Sequence, residues 1–195
     1  ETTYNIQKLS MSNASFSVAP AYYTGSEVTP EVTVTHSGKT LVKDRDFIVT
    51  YHNNIEPSSY YNSPWVGIDG IGNYQGYVTK SFTINRADIS SCTVTLSDES
   101  LTYTGSSLRP TVTVKNGDKE LTLNQDYYVS YRNNWNAGTA SVIVNGSGNY
   151  TGSVTKDFQI IPADISNYEV TLYNDSFDYD GTAKEQRYVR LYSGT

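Results

Sequence analysis

The sequence has little of what would crosslink a small domain or bind a metal. It contains one cysteine, Cys92, among 195 residues, which excludes an internal disulfide. Domains built from this chain must therefore be stabilised by packing alone, even outside a cell. The two histidines, His36 and His52, have no cysteine or carboxylate at metal-ligand spacing. The sequence accordingly predicts no metal site at either histidine.

Basic residues and long apolar runs are also scarce. Lysine and arginine number 14 against 20 aspartates and glutamates, which gives a formal net charge of −6. This balance lacks the basic footprint that nucleic-acid binding requires, so we expect no nucleic-acid partner. No apolar run approaches the length of a transmembrane helix, and we expect no direct membrane insertion.

Motifs for catalysis are missing as well. The sequence has no Gly-rich phosphate loop and no nucleophile elbow. Its titratable residues do not form a set whose spacing would bring them together in an active site. We therefore predict that the chain is not an enzyme, with no catalytic residues and no cofactor.

The abundant residues are those of β-strands and turns. Threonine and valine are frequent, 18 residues are tyrosine, and glycine, asparagine and serine recur at short intervals. No helical period is sustained anywhere in the chain. Because β-branched and aromatic residues favour strands, the composition predicts an all-β protein.

The chain contains an internal repeat. Motifs in its first half recur 80 residues later (23 to 103), whereas a later motif recurs after 76 residues (72 to 148). The first copy therefore carries a four-residue insertion between these motifs. The motifs shared by the two copies are Tyr23-Thr24-Gly25 with Tyr103-Thr104-Gly105, Asn53-Asn54 with Asn133-Asn134, and Gly72-Asn73-Tyr74 with Gly148-Asn149-Tyr150.

Both ends of the chain match further copies. Ala163-Asp164-Ile165-Ser166 repeats Ala87-Asp88-Ile89-Ser90, and the segment 4–8 reads like 82–86. We expect the chain to be a window of a longer array. Its predicted segments are the tail of a preceding repeat at 1–8, a repeat with an inserted loop 55–65 at 9–86, a second repeat at 87–162 and the truncated start of a third at 163–195.

Each copy alternates apolar and polar residues in about seven short runs, with turn signals every 8 to 12 residues or so. Asn116-Gly117 predicts a two-residue hairpin turn, and the paired asparagines predict left-handed turns in which they bond their own backbone. This pattern predicts tandem antiparallel immunoglobulin-like β-sandwiches. The residues expected to point inward in the second copy are Val112, Val114, Tyr127, Val129, Tyr131, Ala140, Val142, Val144, Val154, Phe158 and Ile160.

The pattern from Tyr103 to Ile160 resembles a known family. Its Tyr-Thr-Gly, Asp-Tyr-x-Val-x-Tyr, Asn-Asn, Gly-Thr-Ala-x-Val, Gly-Asn-Tyr-Thr-Gly and Lys-x-Phe-x-Ile motifs are similar to the tandem bacterial immunoglobulin-like repeats of Gram-positive surface and secreted proteins. The resemblance implies an extracellular, cell-surface or secreted location. It also implies a part in adhesins or multidomain glycan-active proteins, and no catalytic residues. The first copy departs from the pattern between Ile55 and Trp65.

That departure carries the main binding hypothesis. Alternation places Trp65 on the outer face of a strand, beside Gly67, which lacks a side chain. A tryptophan next to a bare patch suits a sugar ring, with Tyr60, Tyr61 and Asn62 at its edge. The sequence leaves open the alternative that Trp65 caps the sheets or packs on a neighbouring repeat.

The sequence contains candidates for two other kinds of site. Asp44 and Asp46, or Asp88 and Asp164 at the repeat junctions, have the oxygen ligands that calcium prefers, although a carboxylate at such positions more often accepts bonds from turn backbone. Lys80 and Lys156 fall on the inward parity and are the candidate lysines for an intramolecular isopeptide crosslink. Their alternative role is to extend from the rim of the sheets into water.

Two functions from different classes remain. The short links 85–87 and 161–163 restrict motion between repeats, which favours a semi-rigid spacer or adhesin stalk in contact with its neighbouring repeats. The loop 55–65 favours a module that binds a glycan or a host surface protein. The opening strands in 163–195 cannot bury a face alone. We expect the side of the second repeat, a neighbouring chain or the N-terminal strand of another molecule to cover them, the last as a strand-exchanged dimer.

Overall fold

The computed structural model describes residues 4–186 and 188–193. Almost all of their regular structure is β-strand, and the described residues contain no α-helix. The prediction of an all-β protein is therefore confirmed. The chain forms two compact units, one within 1–95, 112–130 and 143–156, and the other within 96–111, 131–142 and 157–195.

The first repeat contains two three-stranded antiparallel sheets, in the orders β2-β4-β5 and β6-β7-β9. Two short parallel pairs, β1 with β8 and β3 with β10, join strands that are distant in sequence. The strands are β1 (Leu9–Ser10), β2 (Ala14–Val18), β3 (Ala21–Tyr22), β4 (Val32–His36), β5 (Lys39–Thr40), β6 (Phe47–His52), β7 (Trp65–Gly70), β8 (Tyr74–Gln75), β9 (Tyr77–Ser81) and β10 (Ile84–Asn85).

The second repeat has a three-stranded sheet, β12-β14-β15, and a four-stranded sheet, β13-β19-β17-β16. β11 pairs in parallel with β18, and β13 pairs in parallel with β19. The strands are β11 (Ala87–Asp88), β12 (Thr93–Leu96), β13 (Ser100–Thr102), β14 (Val112–Asn116), β15 (Lys119–Glu120), β16 (Tyr127–Arg132), β17 (Gly138–Gly146), β18 (Tyr150–Thr151) and β19 (Ser153–Ile161).

The third copy contributes one antiparallel pair, β20 (Tyr168–Leu172) with β21 (Val189–Ser193). Each copy also has a three-residue 3-10 helix near its start, at Met11–Asn13, Ile89–Ser91 and Ile165–Asn167. The residue before each helix caps it by accepting a bond from the backbone N–H two residues later. The three copies therefore begin with the same local structure.

The inner rows of the second repeat are confirmed. Val114, Ala140, Val142 and Val144 are fully buried, and Phe158 and Ile160 follow with 1 and 2% exposure. Val112, Val129, Tyr131 and Val154 are half-buried. Burial of the aliphatic rows is the main source of stability for such small units.

The paired asparagines form turns, as predicted, but with a more distant partner. Asn53 and Asn133 adopt φ of 56° and 54°, which is left-handed geometry that asparagine tolerates. The second asparagine of each pair is buried and donates from Nδ2 to a loop carbonyl, Asn54 to Val28 at 3.0 Å and Asn134 to Leu108 at 2.9 Å. Each pair thus fixes a loop 26 residues away in sequence.

The predicted hairpin turn at Asn116-Gly117 lies one residue further on. Asn116 is paired with Lys119 across the ladder, so Gly117 and Asp118 are the turn residues. Asn116 stays in the strand, and its Nδ2 donates to the Tyr150 hydroxyl at 3.4 Å. A two-residue turn motif gives no information about this side-chain bond to β18, a strand that pairs with β11 rather than with β14.

Candidate functional site: the inserted loop of the first repeat

The inserted loop, residues 55–65, is fastened to the body of the first repeat at both ends. Ser58 exchanges two bonds with Ile84 of β10: its N–H donates to the Ile84 carbonyl at 2.8 Å, and its Oγ accepts from the Ile84 N–H at 2.9 Å. The Pro64 carbonyl accepts from the Phe82 N–H at 3.1 Å. The loop is therefore held against the closing strand of its own repeat.

Asn62 organises the interior of the loop. Its Nδ2 donates to the Glu56 carbonyl at 2.7 Å and to the Pro57 carbonyl at 3.3 Å. Its backbone N–H donates to the Ser59 Oγ at 3.1 Å. The Nδ2 group and the backbone N–H of Asn62 therefore hold the loop in shape.

Tyr60 and Tyr61 project from the tip of the loop. Their side chains are 92 and 94% exposed, and their rings meet edge to face with centroids 5.1 Å apart. Such an exposed aromatic pair offers contact area with few rotatable bonds. The structure thus places two of the predicted site residues together in solvent.

Trp65 lies at the start of β7, opposite His52 of β6 and Ser81 of β9 in the two ladders. Its ring stacks on the His52 imidazole with centroids 3.9 Å apart and an interplanar angle of 11°. Trp65 is half-buried, whereas His52 is exposed. One face of the indole is therefore covered by a neighbour from its own sheet.

The bare patch predicted at Gly67 is wrong, because Tyr77 occupies it. Gly67 is buried, and a Cβ placed on it would collide with the Tyr77 hydroxyl and lie 2.7 Å from the Thr50 Oγ1. Tyr77 itself is 56% exposed. The glycine thus lets a tyrosine from β9 lie across β7, which replaces the bare surface with a second aromatic ring.

His52, Trp65 and Tyr77 consequently share the outer face of the sheet β6-β7-β9, which we call the aromatic face. The aligned residues of the second repeat are Arg132, Ser141 and Ser153, all without aromatic rings. There the Ser141 hydroxyl donates to Asp157 at 2.7 Å. Sequence reasoning missed His52 and Tyr77, although comparing the two copies strand by strand would have shown both substitutions.

The inserted loop also contacts the second repeat. The Glu56 carboxylate accepts a hydrogen bond from Asn149 Nδ2 at 2.7 Å. Tyr23 of the first repeat is 7% exposed, and its ring meets the buried ring of Tyr150 edge to face at 5.7 Å. The ammonium of Lys119 lies 5.8 Å from the centre of the Tyr23 ring. We call this set of five residues the repeat contact.

The phenol of Tyr23 also acts on the charge of Lys119. Their electrostatic interaction raises the pKa of the Lys119 ammonium, and burial only partly offsets it. Lys119 is therefore charged over the whole physiological range. The repeat contact combines an aromatic pair, a cation above a ring and a hydrogen bond to a carboxylate.

Three of the four carboxylates that the sequence offers to calcium, those of Asp46, Asp88 and Asp164, accept hydrogen bonds from the backbone. Asp88 and Asp164 accept from the N–H of Ser90 and Ser166 at 2.9 and 2.8 Å. Hydrogen bonds from these serines lower the pKa of both carboxyl groups, chiefly from the backbone N–H at Asp88 and from the side chain at Asp164. Asp46 accepts from the Val42 N–H at 2.9 Å. Among the described residues, no three histidines, cysteines or carboxylates are grouped to hold a metal ion.

Asp46 is the most strongly perturbed of these carboxylates. It is bound by the Arg45 guanidinium, with Nη2 at 2.7 Å and Nε at 3.1 Å. This bond, together with the one from Val42, lowers the pKa of Asp46 from 3.8 to about 2. In the second repeat Asp126 accepts from Thr122 in the same way at 2.8 Å, but Gln125 stands where the first repeat has Arg45.

The two candidate crosslink lysines are exposed. Lys80 is paired with Val66 across the ladder, so it has the inward parity that alternation predicts, yet its side chain reaches solvent. Lys156 is exposed as well. Neither has the buried setting that an isopeptide bond would need, and both match the alternative of lysines that extend from the rim into water.

Cys92 occupies a structural position. It is 9% exposed, and burial raises the pKa of its thiol. A thiol held in its neutral form is a poor nucleophile.

The equivalent position in the third copy is Tyr168, which lines a cleft of about 480 Å³ in the second compact unit together with Tyr103, Ile165 and Leu191.

No protein-family model, curated protein or solved structure matches this chain. Among the described residues, no helix has the length and apolarity needed to cross a membrane.

Proposed function

We propose that the chain is a run of tandem immunoglobulin-like repeats that acts as a semi-rigid, non-catalytic spacer in an extracellular protein. The resemblance to Gram-positive surface repeats supports the extracellular setting and the sandwich architecture. The repeat contact supports the spacer function. A spacer must resist bending between its units, and contacts that bury side chains from both sides of a short link supply that resistance.

The burial of Tyr23 against the second repeat is the observation that supports this proposal most directly. It belongs to the Tyr-Thr-Gly motif of the first repeat but is buried against Tyr150 and Lys119 of the second. Tyr103, at the same motif position in the second repeat, is 38% exposed. Tyr23 is thus buried by side chains of the next repeat, as expected for a residue whose role is to join neighbours.

The test removes this ring and measures stiffness. In the wild type we expect the amides of 9–86 to have the same rotational correlation time as those of 112–130 and 143–156. In Tyr23→Ala we expect the two correlation times to differ, as measured by ¹⁵N relaxation. Tyr103→Ala removes the same motif residue away from the repeat contact and is the matched control. Unchanged relaxation in Tyr23→Ala would count against the spacer function.

A second function is favoured by the aromatic face. We propose that His52, Trp65 and Tyr77, with Tyr60 and Tyr61 at the loop tip, form a surface that binds a glycan. Sugar rings present patches of C–H groups that stack on aromatic side chains, and exposed aromatic clusters on a soluble domain usually mark an interaction site. The second repeat, whose aligned residues are polar, serves as an internal reference.

The test of this second function replaces two residues of the aromatic face by those at the aligned positions of the second repeat. A double variant, His52→Arg with Tyr77→Ser, gives the first repeat the residues found in the second at the same strand positions. We expect the wild-type chain to bind on a glycan array and the double variant to lose at least about tenfold in affinity, the effect of about 1.4 kcal/mol. A wild-type chain that binds no glycan on the array would contradict this second function.

A further inference from the structure

The register of the two ladders gives the full layout of the aromatic face. Val66 and Ile68 of β7 are fully buried, so the residues that alternate with them are on the outer side of the sheet. Each row across the sheet then contains one residue from β6, one from β7 and one from β9. The rows are His52, Trp65 and Ser81, then Thr50, Gly67 and Thr79, then Ile48, Asp69 and Tyr77.

The aromatic rings occupy the two ends of this face. Trp65, stacked on His52, is in the first row, and Tyr77 is in the third. These rows are four residues apart along β7 (69 − 65), which corresponds to about 13 Å. The Tyr77 ring leans back towards the middle row, because its hydroxyl lies beside Gly67. A sugar ring is similar in size to one aromatic ring, so a single sugar can stack at one end only, whereas a chain of sugars can contact both.

Hydroxyl groups line the surface between the two ends. Thr50 and Thr79 flank Gly67 in the middle row. Ser81 is opposite Trp65 in the first row. All three hydroxyl-bearing side chains are exposed, and a hydroxyl both donates and accepts hydrogen bonds, as the hydroxyls of a sugar do. The aromatic face therefore combines stacking surfaces at its ends with hydrogen-bonding groups that suit an uncharged sugar chain.

The charge of the aromatic face is unsuited to an anion. No lysine or arginine is present at any position of its rows. The third row contains the exposed carboxylate of Asp69, directly opposite Tyr77. Acidic sugars and phosphate-bearing polymers are bound through charge-assisted hydrogen bonds from cationic side chains, and a carboxylate beside the stacking surface repels them.

The second repeat shows that this charge is specific to the first. His52 and Asp69 are aligned with Arg132 and Asn145, so the first repeat has one cation fewer and one carboxylate more at these two positions. The same face of the second repeat also contains Asp157, so its charge is 0 (Arg132 and Asp157), whereas that of the first repeat is −1 (Asp69). The repeat with the aromatic rings is thus the one whose charge disfavours anions.

We propose that the aromatic face binds an uncharged polysaccharide that runs along β7 from Trp65 to Tyr77, and that Asp69 determines its specificity by repelling anionic glycans. This inference rests on the glycan-binding function proposed above and adds the class of glycan. Stacking at both ends requires several consecutive sugars. The carboxylate of Asp69 disfavours uronic acids, sulfated sugars and phosphate-linked chains.

The length of the ligand is tested with a glycan array that carries mono- and hexasaccharides of neutral glucans, mannans and xylans. For the neutral sugar that the wild-type chain binds, we expect the hexasaccharide to bind at least about tenfold more tightly than the monosaccharide, because it stacks at both ends. Tyr77→Ser gives the residue at the aligned position of the second repeat and should lower this ratio several-fold. A ratio that is the same in Tyr77→Ser and in the wild type would contradict a chain that contacts both ends.

Asp69→Asn tests the specificity, since asparagine is the residue at the aligned position of the second repeat. The array also carries hexasaccharides of galacturonic acid and of hyaluronan, and it is read at low salt and at pH 8, where a free imidazole is neutral. In the wild type we expect the anionic hexasaccharides to bind more weakly than the neutral one. In Asp69→Asn their binding should rise about threefold, the effect of one like charge at about 6 Å in water, with binding of the neutral hexasaccharide nearly unchanged.

Salt gives an independent readout of the same repulsion. Raising the salt concentration from about 0.01 M to 1 M shortens the Debye length from about 30 Å to 3 Å. Binding of the anionic hexasaccharides should therefore strengthen in the wild type and change less in Asp69→Asn. Asp98→Asn removes the same charge from an exposed aspartate of the second repeat and is the matched control, which we expect to behave like the wild type.

The possible results distinguish this inference from the function on which it rests. A wild-type chain that binds no glycan contradicts the glycan-binding function itself, and the inference with it. A wild-type chain that binds anionic glycans as tightly as neutral ones overturns the proposed specificity while glycan binding stands. The same holds if Asp69→Asn has the same preference for neutral glycans as the wild type.

Discussion

At the scale of single residues, the two repeats share an aspartate that binds a turn N–H, but a different residue precedes this aspartate in each repeat. Asp46 and Asp126 make the same bond to a turn N–H, but only Asp46 is also held by an arginine. The folded-state pKa of Asp46 lies at about 2, below its ordinary 3.8. Stability from this carboxylate is therefore present above the unfolded pKa and is lost as the pH falls from about 4 towards 2.

Replacing Arg45 with glutamine, the residue at the aligned position of the second repeat, should raise the pKa of Asp46. The bond from Val42 remains in this variant, so the pKa should stay below 3.8. The acid limb of the unfolding curve should move to higher pH, with little change at neutral pH. An NMR titration of the Asp46 carboxyl carbon measures the shift.

Arg86→Gln is the control, because it removes the same charge from an exposed arginine without touching Asp46. If Asp46 titrates at the same pH in Arg45→Gln and in the wild type, the guanidinium is not what lowers its pKa.

At the scale of elements, the inserted loop is ordered by its own hydrogen bonds more than by burial. Asn62 bonds two loop carbonyls, and the tyrosines at the tip lie in solvent. Asn62→Ala should therefore loosen the segment 56–62 while costing the whole repeat on the order of 1 kcal/mol or less, since the lost bonds lie in an exposed loop.

Limited proteolysis with a protease of broad specificity reports on this change. We expect cleavage within 56–62 to become several-fold faster in Asn62→Ala, with a nearly unchanged melting temperature. Tyr61→Ala, which alters the tip but none of these bonds, is the control. Equal cleavage rates in Asn62→Ala and the wild type would show that the loop is held in another way, for instance through Ser58 alone.

The strands were predictable because alternation needs only local sequence. Rows such as Ala140, Val142 and Val144 lie inside as alternation requires. The side-chain contacts on the outer face of the sheet β6-β7-β9 could not be predicted in this way. Tyr77 lies over Gly67 through a diagonal contact between strands, and such contacts depend on register and rotamer rather than on the pattern of one strand.

The repeat contact could not be predicted from the sequence, because it also joins residues that are distant along the chain. In its motif Tyr23 is predicted to be a turn residue, and its partners Lys119 and Tyr150 lie 96 (119 − 23) and 127 (150 − 23) residues further on. Only the placement of one repeat's turn against the next repeat's strands brings them together. The alternatives for Asp88 and Lys80 were decided by the same kind of information, since capping and exposure are properties of the folded backbone.

At the scale of the whole molecule, the burial of a strand should determine its local stability. β12 and β20 occupy the same position in the second and third copies, so they form a matched pair within one chain. Val94 in β12 is 6% exposed, whereas its equivalent Val170 in β20 is 58% exposed. Strands whose apolar side chains face water gain little of the burial energy that resists local opening.

Hydrogen exchange followed by mass spectrometry should therefore separate the two strands. We expect amides of β20 to exchange at least about a hundredfold faster than those of β12, since opening free energies run from near zero at exposed segments to the global value of about 5 kcal/mol or more. Equal protection of β12 and β20 would mean that the burial of a strand's apolar side chains does not determine how readily the strand opens.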